Sequence, residues 1–156
     1  MKITLCVVGR LRAGPERDLL DDYLKRFDRT GRGLGLGPAR VFEVEDRKGG
    51  GAVAEAALLE RAVPSGGVVC AMDERGRTLT SPEFAAQLER WRDTGRSDAA
   101  FLIGGADGLL PELVARSDFT LSFGKMVWPH MLARVMLGEQ LYRAASILSG
   151  APYHRD

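Results

Sequence analysis

Three segments in the C-terminal half of this 156-residue chain carry residue types that can do chemistry. The first covers residues 101–109, FLIGGADGL, where an apolar run ends in the pair Gly104-Gly105. Glycine at such a point lets the backbone approach a ligand closely or adopt positive φ. Ligands of parallel α/β sheets sit just outside that strand edge. A plain tight turn would explain the same residues. The second covers 121–130, LSFGKMVWPH, an apolar loop that enters a helix through Pro129. Free backbone N–H and C=O groups in such a loop can read an adenine edge. Hydrophobic loop packing is the alternative. The third is the tail Pro152-Tyr153-His154-Arg155-Asp156, which follows a helix bearing Arg134, Glu139, Gln140, Tyr142 and Arg143. Tyrosine can stack on a base, histidine can move a proton and arginine can grip phosphate. A frayed chain end is the alternative there.

Other chemistries lack their signatures. After Val8 the chain reads Gly9-Arg10-Leu11-Arg12, which is not a dinucleotide fingerprint. No glycine loop is followed by Lys-Ser/Thr, and no serine sits in a nucleophile elbow. His130, His154, Cys6 and Cys70 are not spaced as metal ligands, so no metal is expected. The formal net charge of +1 gives no support to bulk attraction for nucleic acid, so local clusters must carry any such role.

These residues need elements to position them. An apolar run over residues 2–8 reads as a buried strand, and apolar spacing over 15–27 as a helix. Residues 31–38, rich in glycine, read as a loop, followed by a strand over 40–45. A helix over 53–62 and a strand over 67–72 come next. Ser81 as N-cap, then Pro82 and Glu83, mark the start of a helix reaching Trp91. A strand over 99–103, a short helix over 111–115, a short strand over 119–121 and a long helix over 130–148 complete the chain. Such alternation predicts one α/β domain over residues 1–156, with a mostly parallel sheet and helices on both faces. The glycine runs 31–37 and 49–51 read as flexible loops. The cysteines lie in the apolar contexts LCVV and VVCAM, which predict buried free thiols in a reducing compartment. The N-terminal apolar run is too short for a signal peptide, and nothing approaches a membrane span. The expected location is cytoplasmic.

Taken in order, KITLCVVGRLR, YLKRF, LERW, IGGADG, LSFGKMVWPH, RVMLGEQLYRA and PYHRD resemble the bacterial ribosomal large subunit methyltransferase H family, of the SPOUT class. The resemblance runs nearly the whole length of the chain. Ala106-Asp107 stands where some members carry Pro-Glu. The resemblance implies a deep C-terminal trefoil knot and an S-adenosyl-L-methionine site held by three loops. By position these loops carry Met72, Gly104 and Gly105, and Phe123, Gly124, Lys125, Met126, Val127 and Trp128. It implies a homodimer with the active site near the subunit interface. It also implies a substrate: N3 of a pseudouridine in the helix 69 loop of 23S rRNA, methylated on the assembled 70S ribosome.

Methylation of that nitrogen requires loss of its proton, so a general base is expected. His154 is favoured, with His130 as the alternative, and Tyr153 and Arg155 belong to the same catalytic group. Arg134, Arg143 and Arg155 are expected as RNA contacts, although Arg134 and Arg143 can equally form ion pairs, for example with Glu139. The competing readings are a non-catalytic ribosome-binding factor and a SPOUT enzyme acting on another RNA such as tRNA.

Overall fold

A computed structural model of the protein describes residues 1–155; Asp156, the last residue of the tail motif, lies outside the described residues. The strands are β1 (Lys2–Val8), β2 (Ala39–Val44), β3 (Val68–Thr78), β4 (Asp98–Ile103) and β5 (Phe119–Ser122). They form one sheet in the order β2-β1-β4-β3-β5, and every pairing is parallel. The helices are α1 (Pro15–Gly31), α2 (Gly51–Ala62), α3 (Ser81–Asp93), α4 (Pro111–Arg116) and α5 (His130–Leu148).

Two cores follow from the alternation of side chains along the strands. On β1, Ile3, Leu5 and Val7 face the layer of α1, α3 and α5, while Cys6 and Val8 face α2 and α4. On β4, Phe101 and Ile103 join the first core, and Ala100 and Leu102 the second. Strands covered on both faces read as unbroken apolar runs, which is why β1 and β4 stood out in the sequence.

The elements match the expected order, with informative differences at their ends. α1 runs on to Gly31, and a 3₁₀ turn over Arg32–Leu34 follows, so half of the expected loop is helical. The cap of α3 is Thr80, not Ser81. Its side chain accepts from the Glu83 N–H while the Glu83 carboxylate accepts from the Thr80 N–H. Ser81 is left free to donate to Gln140 Oε1 on α5 at 2.8 Å. The largest difference is β3, which continues to Thr78 through an irregularity between Met72 and Arg77. A β-carbon on Gly76 would stand 2.8 Å from the backbone of Thr120 and Leu121, so glycine is required for this approach to β5.

Cys6 and Cys70 are both free and fully buried. They lie on β1 and β3, with β4 between them, and face opposite cores. Two strand spacings of roughly 4.8 Å each exceed the reach of a disulfide. Burial pushes the Cys6 thiol up to about 12, slightly opposed by the charge of Arg40, and raises Cys70 as well. Both thiols should therefore resist Ellman's reagent in the native protein and react fully once guanidinium unfolds it. Rapid labelling of the folded chain would contradict this core.

Candidate active site

A cavity of about 620 Å³ opens at the C-terminal edge of the sheet. This lies within the roughly 300–1,000 Å³ of small-molecule sites. Its walls come from three loops, the segments 72–75, 103–109 and 121–130. Each loop is shaped by a local cause. In the first, the β3 irregularity turns Asp73 and Glu74 to the cavity, and Asp73 Oδ1 accepts from the Arg75 N–H at 2.9 Å. In the second, the chain doubles back after β4, with the Gly108 N–H donating to the Gly105 carbonyl at 3.1 Å. Gly104 lies so close beneath this turn that a β-carbon would stand 2.3 Å from the backbone of Gly108. Its φ is not positive, so close approach is what demands glycine there; the left-handed residue is Gly108, at φ +79°. In the third, the Ser122 hydroxyl lies 3.0 Å from the Glu74 carbonyl and accepts from the Gly124 N–H at 3.1 Å. That hydroxyl links the first loop to the third.

Of the residues expected to hold a cofactor, Met72, Gly104, Gly105, Phe123, Gly124, Met126, Val127 and Trp128 all line this cavity. Lys125 belongs to the same loop but is exposed and is not among the lining residues. Asp73, Glu74 and Asp107 line it too, and sequence reasoning assigned them no role. Methionine, valine and phenylalanine supply an apolar wall, and the carboxylates supply negative charge. Such a donor set fits a flat heterocycle joined to a cationic group. Among the described residues, no group of three or more His, Cys, Asp or Glu is placed to hold a metal ion. Among them, too, no helix is long and apolar enough to cross a membrane.

His130 lines the cavity at the start of α5. Its Nδ1 lies 3.2 Å from Nη2 of Arg134, one turn further along. Arg134 is 0% exposed, its Nη2 also donates to the Val8 carbonyl, and its Nη1 lies 3.8 Å from Glu43. The expectation that Arg134 contacts RNA is therefore corrected: it is sealed beneath the end of β1, where a nucleic acid cannot reach it. Burial and the neighbouring Arg134 charge lower the pKa of His130.

The tail forms a separate cluster. The Tyr153 hydroxyl donates to Glu139 Oε1 at 3.0 Å, and its ring packs on Tyr142 with centroids 4.5 Å apart. Burial and Glu139 together raise the Tyr153 pKa. Arg143 donates to the same carboxylate at 2.6 Å and covers the Tyr153 ring at 4.8 Å. Its Nη1 lies 3.2 Å from His154 Nδ1. The ion-pair reading of Arg143 with Glu139 thus holds within one chain, while Arg155 is exposed. Arg143 stands ten residues after Ala133, the last α5 residue to line the cavity, a rise of about 15 Å at 1.5 Å per residue. Tyr153, His154 and Arg155 are not among the residues that line the cavity.

Known proteins similar to this chain identify its family and its fold. A family described as predicted SPOUT methyltransferase matches residues 1–154. The chain is 75% identical over 155 residues to the Ribosomal RNA large subunit methyltransferase H of Dinoroseobacter shibae, covering 99% of both chains. It is 67% identical over 156 residues to the protein of that name from Roseobacter denitrificans, covering 100% of both. Two solved structures share the fold. One is a probable methylase family protein from Haemophilus influenzae, with TM-score 0.54 and 14% identity over 99% of this chain and 70% of that one. The other is a probable methyltransferase from Bordetella pertussis, with TM-score 0.54 and 17% identity over 92% of this chain and 96% of that one. The chain belongs to the SPOUT methyltransferases and, within them, to the ribosomal RNA large subunit methyltransferase H family.

Proposed function

We propose that the protein uses S-adenosyl-L-methionine to methylate N3 of a pseudouridine in the helix 69 loop of 23S rRNA, on the assembled 70S ribosome in the cytoplasm. The observation that carries this reading is the three-loop cavity, formed by the family's motif residues in a chain alike its relatives from end to end. Met72, Gly104, Gly105 and the loop around Phe123 to Trp128 would hold the cofactor, with Asp73 and Glu74 as negative neighbours for its positive charge. When bound, the cofactor supplies a methyl group already activated on sulfonium, so no covalent enzyme intermediate is needed. The protein's tasks are to align the base with that methyl group and to take the N3 proton.

His154 is the proposed base, with Tyr153 and Arg155 placing the RNA. Arg143 has only N–H donors, so His154 Nδ1 is an acceptor in the resting tail. Taking a proton at that nitrogen requires it to leave Arg143. In the proposed dimer the tail of one subunit serves the cavity of the other, a reading supported by the rise of about 15 Å along α5 between Ala133 and Arg143.

A second copy also explains the surface. Met126, Val127, Trp128, Met131 and Leu132 are all exposed, in one stretch at the lip of the cavity. Soluble monomers rarely leave such a patch uncovered. Homodimerisation would cover it and bring a partner tail to the cavity. The deep knot is part of the same proposal: β5 lies at the sheet edge beside β3, yet α5 returns to pack against α1 and α3. Changing Met131 and Leu132 together to glutamate should turn a dimer into a folded monomer in light scattering and remove methyl transfer. A dimer that survives both charges would place the interface elsewhere.

The direct test is transfer of labelled methyl to ribosomes from a strain lacking its own copy of this protein. Label in 23S rRNA of 70S ribosomes supports the proposal. Label in tRNA would keep the reaction and change its substrate.

A further inference from the structure

The cavity holds one titratable side chain whose protonation is dictated by its neighbour. His130 meets Arg134 through Nδ1 at 3.2 Å. A guanidinium carries donors and no acceptor, so Nδ1 must present its lone pair. The proton of the neutral ring then sits on Nε2, on the side of the ring away from Arg134. Both hydrogens of Arg134 Nη2 are committed, one to His130 and one to the Val8 carbonyl left open at the end of β1. Arg134 is 0% exposed, so packing as well as these two contacts confines it. Arg143, which meets His154 in the same manner, is by contrast a quarter exposed and faces a chain end.

We infer that Arg134 holds His130 as a neutral imidazole that donates Nε2–H into the cavity, so that His130 binds a ligand oxygen and does not remove a proton. Arg134 is then a positioning residue, and the ligand group is a carboxylate or carbonyl oxygen. That oxygen comes from the cofactor's carboxylate or from the target base, and its identity rests on the proposed function; the state of the ring does not. The charged groups around the pair are Glu43 on β2, Arg17 on α1 at 3.3 Å from Glu43, and Asp73, Glu74, Arg75 and Asp107 around the cavity. The carboxylates around the cavity would favour an imidazolium. The buried guanidinium, in direct contact, opposes it.

The chain has only two histidines, so nitrogen-15 spectra of histidine-labelled protein resolve both rings. The expected result for His130 is the Nε2–H tautomer, still neutral at pH values where a free imidazole, with pKa about 6.5, is half protonated. An Nδ1–H tautomer, or an imidazolium near neutral pH, would overturn the inference. This measurement needs no ligand, so it fails or succeeds apart from the proposed function.

Binding of S-adenosylhomocysteine to the whole protein then identifies the oxygen. If it is the cofactor carboxylate, His130→Ala should weaken binding about tenfold or more. His130→Gln, whose amide N–H reaches the Nε2 position, should restore most of that loss. If it is the base, cofactor binding stays unchanged and the KM for 70S ribosomes rises in His130→Ala, again recovered by glutamine. Should alanine and glutamine behave alike in both assays, the donor role is refuted.

Discussion

Alanine at Gly104 is expected to weaken S-adenosylmethionine binding and to cut methyl transfer by about a hundredfold or more, since displacements near 1 Å cost that much in rate at a positioned site. The added carbon would stand 2.3 Å from the carbonyl carbon and oxygen of Gly108 and 2.7 Å from the Leu109 nitrogen. All three are backbone atoms, so no side chain can turn aside. The loop 105–108 must lift, and it forms one wall of the cavity. Overpacking of this kind costs roughly 1–3 kcal/mol of stability, which a domain of this size tolerates. Calorimetric titration beside a thermal melt separates the two effects. Folded Gly104→Ala protein that binds the cofactor normally would show that the cavity is not its site.

Mixing two inactive variants is expected to restore activity. His154→Asn alone should lose about a hundredfold to ten-thousandfold of turnover, as general bases do, while keeping cofactor affinity. Gly104→Ala keeps its tail but not its cavity. In a twofold dimer each site would join one subunit's cavity to its partner's tail. A mixed dimer then has one whole site, built from the cavity of the His154→Asn chain and the tail of the Gly104→Ala chain. Random reassociation of equal amounts makes half of the dimers mixed, so roughly a quarter of wild-type activity returns. If each site were built within one chain, every site in the mixture would lack one part and no activity would return. The rise of about 15 Å along α5 between Ala133 and Arg143 favours complementation.

The sheet was legible because β1 and β4 are covered on both faces and their apolar runs admit one reading. The bounds of α5 were equally plain, with Pro129 before it and Gly150 after it. The extension of β3 was not, because Asp73, Glu74, Arg75 and Gly76 form a polar, glycine-containing stretch that reads as a turn. Its pairing with β5 depends on contact with residues more than forty positions away. Asp73 and Glu74 were missed as cavity residues for that reason. The role of Arg134 was hidden by a different cause. An arginine on a helix reads as a surface charge, and only the packed chain shows it capping the Val8 carbonyl and His130. The separation between tail and cavity was legible only in part: the spacing of His130 and Arg143 was countable, but the packing of the tail back onto Glu139 was not.

The most direct test of the account is mass-spectrometric mapping of the helix 69 fragment of 23S rRNA. The fragment is taken from 70S ribosomes lacking the modification, after incubation with this protein and S-adenosylmethionine. The account predicts one added methyl group, located on a pseudouridine base at N3, and little or none when free 50S subunits are offered. An unmodified helix 69 after incubation with a protein that demonstrably binds the cofactor would contradict it.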